Sequence, residues 1–388
     1  MHLPRLFSTD TTLTLSFVRT LYDYEGPTPK HRLNLAFWSE DEEWTEQWKI
    51  TEGNDFFVNW ADFPSARFYR DTNDSLAFFA HWLAYSGKGT YDYDIMFSAN
   101  ARPDAKLHQD TVSAEHGFVS TAQLPEGGLQ VTWLDGRYTK SGGAAGAKEG
   151  TEEQGEHGHG GGAMTLRTKA LSDSTSVELD HRVCDCCNTA TVATDSLVMV
   201  AYRDRSEHEI RDISYVIKRT GSPEWSTPKL VHADNWEIAG CPVNGPALAA
   251  NGAGNIAIVW YTAPADRAQI LFSRYEPDLN TWTSPTLLDN ANPLGRVDLQ
   301  LGEDGTAYVT ALTATDRDDT ANLTLWTIGQ QHHNSPTDHG IYREVFAETS
   351  SARSAGFPKI ALHQDRLFWA ITVVAKGKHD QYVEVCWR

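Results

Sequence analysis

No run of about eighteen apolar residues occurs in the chain, so no helix able to cross a bilayer is expected. Residues 1–5 lack the basic-then-apolar pattern of a secretion signal, and no signal peptide is expected within the chain. Basic residues are scarce: 33 Lys and Arg stand against 52 Asp and Glu, a formal net charge of −19. A surface of that sign repels polyphosphates and anionic lipid, which argues against nucleic acid as a partner. The acidic runs at residues 39–44 and 151–156 read as solvated loops. Cysteine is rare as well, with five in 388 residues, so the places where it falls carry information.

Aromatic and β-branched residues are abundant. The chain holds 13 Trp, 14 Tyr and 15 Phe and is 40% hydrophobic, enough for a substantial core. Apolar strings recur seven times, at residues 12–17, 76–82, 129–134, 198–203, 256–261, 307–312 and 366–372. Each follows a polar elbow and precedes a charged loop. A repeat of about 50 to 70 residues made of short strands is a propeller blade. Residues 241–289 show one whole unit: an inner strand at 246–250, a second at 256–261, a third at 269–275 and an outer strand opened by Trp282. Other outer strands are expected to open at Trp48 and Trp225.

The fold class expected is all-β, a single β-propeller over residues 1–388. Seven four-stranded blades are favoured, with a six-bladed ring as the alternative. The last blade runs out of sequence after three strands. A Gly-rich, acidic insertion at 141–162 interrupts the third blade as a flexible loop. Its His157 and His159 are candidate metal ligands without a third, and a plain solvated loop is the favoured reading.

In a propeller, the elbow before each inner strand and the loop between second and third strands open on one face around the central channel. That face gathers Arg137, Arg182, Arg203, Arg205, Arg211, Arg296 and Arg353. A planar guanidinium forks onto a carboxylate or sulfate while keeping its charge, which points to an anion pocket. Carboxylates beside them, such as Asp204 and Asp212, offer ion-pair networks as the other reading. Glu115, Asp135 and Asp204 are candidates for proton transfer, and Tyr202 is a candidate nucleophile, because glycoside cleavage needs such a pair across the scissile bond. His116 and Asn244 lie at elbows of the same face as candidate ligand contacts.

Cys184, Cys186 and Cys187 fall within four residues, and Cys241 takes the corresponding elbow of the next blade. Three readings stay open: disulfides, which would favour an extracytoplasmic compartment; a soft metal such as copper or zinc; or reduced buried thiols. Cys386, in the strand at 382–387, reads as a separate buried thiol.

Several strings together carry a family resemblance: Phe57 to Ser65, Glu115 to Ser120, Trp133 to Arg137, Arg182 to Cys187, Tyr202 to Arg205, Glu209 to Asp212, and Cys241 to Pro246. With them the chain resembles the bacterial sialidase-like, BNR-repeat propeller proteins, closest to an uncharacterised exported group with an Arg-Val-Cys-Asp-Cys-Cys motif. The Asp-box of that family survives only at Ser273 to Glu276 with Thr281-Trp282. The resemblance implies an exo-glycosidase acting on an acidic sugar without a cofactor. Arg182, Arg296 and Arg353, from three blades, would clamp the substrate carboxylate. It also implies a periplasmic or extracellular monomer whose partner is an anionic carbohydrate. The alternative is a non-catalytic ligand- or metal-binding propeller with a Cys/His cluster at the channel mouth.

Overall fold

A blade's second strand lies inside its own sheet and between two neighbouring sheets, so it is covered on both faces. Its residues therefore read as a nearly unbroken apolar run. In the computed structural model, Leu129–Asp135 is buried at every position and Leu197–Arg203 at all but one. The structure describes residues 1–22, 29–39, 43–100, 104–140, 162–330, 340–374 and 381–388. The other second strands are Leu13–Leu21, Leu76–Tyr85, Ile256–Thr262, Ala307–Ala314 and Arg366–Val374. All seven begin within one residue of the apolar strings.

Each second strand pairs with an inner strand before it and a third strand after it, all antiparallel, giving seven separate sheets. A strand from every blade borders a cavity of about 150 Å³ on the axis, from Arg5 and Phe7 in the first blade to Lys359 in the last. This closes the ring at seven blades and removes the six-bladed alternative. Inside the channel, Lys359 Nζ stands 3.3 Å from Asp298 Oδ1, and the Arg5 guanidinium lies 4.2 Å from the Phe63 ring centre.

Among the described residues the last sheet has three strands, Lys359–His363, Arg366–Val374 and Gln381–Trp387, and no strand of the first blade joins it. Side chains make this seam. Trp38 packs edge-on against Phe368 and Trp387, Ser8 Oγ is 3.0 Å from His363 Nδ1, and the Met1 ammonium donates to Gln381 O at 2.6 Å.

Two expected outer-strand starts shift: the first blade's outer strand opens at Trp44, not at Trp48. Trp225 makes only an isolated bridge to Lys218, and the outer strand of the fourth blade is Lys229–Leu230, beginning after Pro228, which has no N–H to donate. The insertion leaves between Leu129–Asp135 and Met164–Ala170, which pair through Asp135 and Thr165 at its base. Most of it, with His157 and His159, lies outside the described residues.

Candidate functional site

The rim arginines divide by what their guanidinium groups touch. Arg203, 1% exposed, donates to the carbonyls of Asn244, Arg211 and Tyr261 and lies 4.8 Å from the Trp236 ring centre. It ties the fourth blade to the fifth. Arg296 donates to the carbonyls of Ser351, Ala352 and Gly356, and its own N–H donates to Asn244 Oδ1 at 2.7 Å. Its positive φ of 53° turns it toward those carbonyls. Asn244 thereby joins three blades. Arg205 forks onto Glu209 and reaches Asp185, while Arg137 forks onto Asp135. Among the described residues, the guanidinium groups of Arg182 and Arg353 have no hydrogen-bond or ion-pair partner. Arg353 is exposed and lies over the Trp60 ring. The three arginines taken as a clamp thus have different surroundings: Arg182 and Arg353 keep their donors available, whereas Arg296 directs its donors at backbone.

A pocket of about 470 Å³ opens between the third and fourth blades, lined by residues 178–182, residues 204–207 and Pro228. Asp180, Arg182, Asp204 and Arg205 all reach it. Asp180 comes from the outer strand Val177–Val183, whereas Asp204 follows the second strand Leu197–Arg203. Burial, and then the negative charge of Asp180, hold the Asp204 carboxyl above its ordinary pKa, against hydrogen bonds from Arg205 N–H and Ser214 Oγ. Asp204 therefore retains a proton to higher pH than an ordinary aspartate, as a general acid requires. Tyr202 is fully buried and donates to Asp180 Oδ2 at 2.6 Å. Burial and Asp180 push its phenol far up, so it acts as a neutral donor that holds Asp180 in place.

A second constellation fills the crevice between the second and third blades. Tyr93 Oη stands 2.9 Å from both Asp62 Oδ2 and Glu115 Oε1. It has one proton for two acceptors, so one of the contacts needs a proton from the carboxyl side. Asp62, 2% exposed, fits that role, since burial raises its pKa to about 7. Gly117 permits the approach, because a Cβ there would lie 1.8 Å from Asp62 Oδ2. Near the same rim, burial and then the charges of Glu115 and Cys241 push the Tyr91 phenol up, with Arg353 opposing. The elbows of blades three, five and seven are therefore within electrostatic reach of one tyrosine.

Beside it, His108 and His116 stack at 3.9 Å with their planes 10° apart. Asp94, Asp110 and Asp135 surround them. His116 Nδ1 is 3.0 Å from Ala114 O, so with a proton on Nδ1 its Nε2 faces Asp110 at 3.3 Å and Asp135 at 3.6 Å. Although burial opposes it, hydrogen bonds to Asp110 and Asp94 hold the His108 pKa above its usual value. These donors converge closely enough to hold a cation. Asp135 is fully buried, and Arg137 holds its carboxyl low despite burial. Asp135 and His116 therefore belong to one buried network, not to the open pocket.

The cysteines also meet. Cys184 Sγ is 3.2 Å from Cys187 Sγ and 3.9 Å from Cys186 Sγ, Cys186 is in side-chain contact with Cys241, and no sulfur is in a disulfide. Arg211 Nη1 donates to Cys184 Sγ at 3.3 Å. Burial pushes the Cys184 thiol up, but hydrogen bonds from Cys186 and Cys187 and the charge of Arg211 bring it well below its usual value. Cys386 stands apart beside Glu384.

Tyr93, Asp94, His108 and Asp110 were not among the sequence candidates. Their signal is the string from Tyr91 to Asp94 at the start of the third strand Tyr93–Ala99, on the same rim as the elbows, followed by His108 and Asp110.

No protein-family model and no curated protein matches the sequence. Solved structures share the fold. The polysaccharide lyase Uly1 is similar at 9% identity and TM-score 0.53, covering 100% of this chain and 89% of that one. An α-L-arabinanase from Penicillium chrysogenum is similar at 11% identity and TM-score 0.50, covering 86% and 94%. At such identities the likeness is one of fold, and the sialidase-like resemblance rests on its motifs.

Proposed function

We propose that the chain is a carbohydrate-active propeller that takes an acidic saccharide in the pocket between its third and fourth blades. One observation carries this reading: a carboxyl with a raised pKa, Asp204, and a guanidinium without a described partner, Arg182, line the same pocket. Arg182 would fork onto the sugar carboxylate. Asp204 would protonate the glycosidic oxygen as the bond breaks, and Asp180, oriented by Tyr202, would take a proton from the water that bonds to the anomeric carbon. Two propellers of the same fold are named as a polysaccharide lyase and an arabinanase, which supports a saccharide as ligand. A glycan substrate also fits the periplasmic or extracellular location and the monomer implied by the family resemblance.

The test is turnover of a panel of uronic- and sialic-acid glycosides by the intact protein and by Asp204→Asn and Arg182→Ala. Asp204→Asn should lower kcat by about a hundredfold or more, and Arg182→Ala should abolish discrimination between acidic and neutral sugars. Absence of both turnover and binding across the whole panel would overturn the reading.

A further inference from the structure

The four clustered cysteines are not used by that pocket. Three come from a single turn between Val177–Val183 and Ala190–Thr194, and the fourth from the elbow of the next blade. Cys184, Cys186 and Cys187 are 1%, 7% and 2% exposed and pack in one cluster with Phe118, Tyr202 and Phe357. A thiol sealed among such side chains has no access to a substrate, so nucleophilic chemistry does not explain the cluster.

The spacing does point to a ligand. Metal–sulfur bonds of about 2.3 Å directed to the corners of a tetrahedron place sulfurs about 3.8 Å apart. The Cys184 sulfur lies 3.2 and 3.9 Å from its two neighbours, which brackets that value. Disulfide sulfurs would approach to about 2 Å. Arg211 is the second, independent observation. It is buried, with one edge on Glu209 and Nη1 on Cys184 Sγ at 3.3 Å. A disulfide sulfur offers such a cation no charge to pair with, whereas a thiolate does. A cation among the sulfurs would take the place of the protons that burial otherwise keeps on Cys186 and Cys187.

We propose that Cys184, Cys186 and Cys187, whose sulfurs lie within 4.8 Å of one another, bind one thiophilic d10 cation, Cu(I) or Zn(II), with Cys241, in contact with Cys186, closing the site and Arg211 supporting it. Each thiol that becomes a ligand releases its proton to solvent, and no change of oxidation state is involved. The bound ion would pin the turn of the fourth blade to the elbow of the fifth, so it supports the rim without entering the pocket.

The experiment uses the full chain, reduced and stripped of metal, then given one molar equivalent of Cu(I) without oxygen or of Zn(II). After desalting, metal content, reactive thiols and sulfur-to-metal ultraviolet absorption are read. One metal per chain is expected, with Cys386 left as the reactive thiol. Retention against a Cu(I) chelator in one arm and a Zn(II) chelator in the other identifies the ion. Cys386→Ser should retain the full equivalent and Cys184→Ser should lose it. Should Cys184→Ser fail to fold, Cys241→Ser, at a half-buried position, should fold and weaken retention at least tenfold. Folded, reduced protein that retains neither ion would overturn the proposal. So would a mass two hydrogens lighter per bridge in the chain as isolated, before reduction, showing disulfides within the cluster.

Discussion

Replacing Asp62 by asparagine tests the proton placed between the second and third blades. The Asp62 carboxyl accepts from the Phe118 N–H at 2.8 Å and meets Tyr93 Oη at 2.9 Å, while that same hydroxyl stands 2.9 Å from Glu115. Burial raises the Asp62 pKa from 3.8 to about 7. Between those two values the folded protein binds a proton that the unfolded chain has released, so stability falls as pH rises through the interval and levels off above it. Each unit of displacement is worth about 1.4 kcal/mol, so moving from about pH 5 to about pH 8 should remove about 2.5 kcal/mol through this residue. Asp62→Asn keeps the shape and the donor but cannot ionise. Urea unfolding of both proteins at the two pH values gives the comparison: the parent should lose about 2.5 kcal/mol more than the variant. Parallel losses would show that Asp62 is already ionised at pH 5 in the folded protein, and the account of the Tyr93 contacts would fail.

Two further perturbations address neighbouring features. Arg203→Met would strand the carbonyls of Asn244, Arg211 and Tyr261. At about 1 kcal/mol or more for each buried acceptor left unpaired, thermal unfolding should show a loss of at least about 3 kcal/mol, and Arg203→Lys should not restore it because one ammonium cannot span both blades. His108, whose pKa is held up by Asp110 and Asp94 against burial, contributes stability that is complete below its ordinary value of 6.5 and is lost as pH rises through the folded value. Melting at about pH 6 and about pH 9 should therefore show a larger fall for the parent than for His108→Gln, and equal falls would refute the pairing.

The blades were legible because burial on both faces forces an apolar second strand, and seven such strings announce themselves. Meeting points were partly legible. Adjacent elbows had to be neighbours, which brought Cys241 to the Cys184 turn before any coordinates. What the arginines do was not legible, since the acceptors of Arg203 and Arg296 are backbone carbonyls, which every residue carries. Only the path of the chain decides which carbonyls turn inward. The same holds for His108, which lies just beyond the short strand Ala105–Lys106 and meets His116 because two elements fold side by side. Even the three arginines read as one clamp diverge: Arg182 ends an outer strand and faces an open cavity, Arg296 lies in an inner strand, and the turn at Arg353 presents its carbonyls to Arg296.

The seam between the first and last blades makes the ring a clasp, not a hoop. At every other junction the chain itself passes from one sheet to the next and keeps the two together even when their contacts loosen. Between the first and seventh blades the attachment is side-chain packing: a shared apolar core of Leu6, Leu13, Phe17, Ala361, Phe368 and Ala370, edged by the rings of Trp38 and Trp387. Opening that line would uncover this core and, at the channel, Arg5 and Lys359 from the two blades. The fourth blade stands diametrically across from that line. Its thiol turn and acid pocket are thereby placed farthest from the junction that side chains hold.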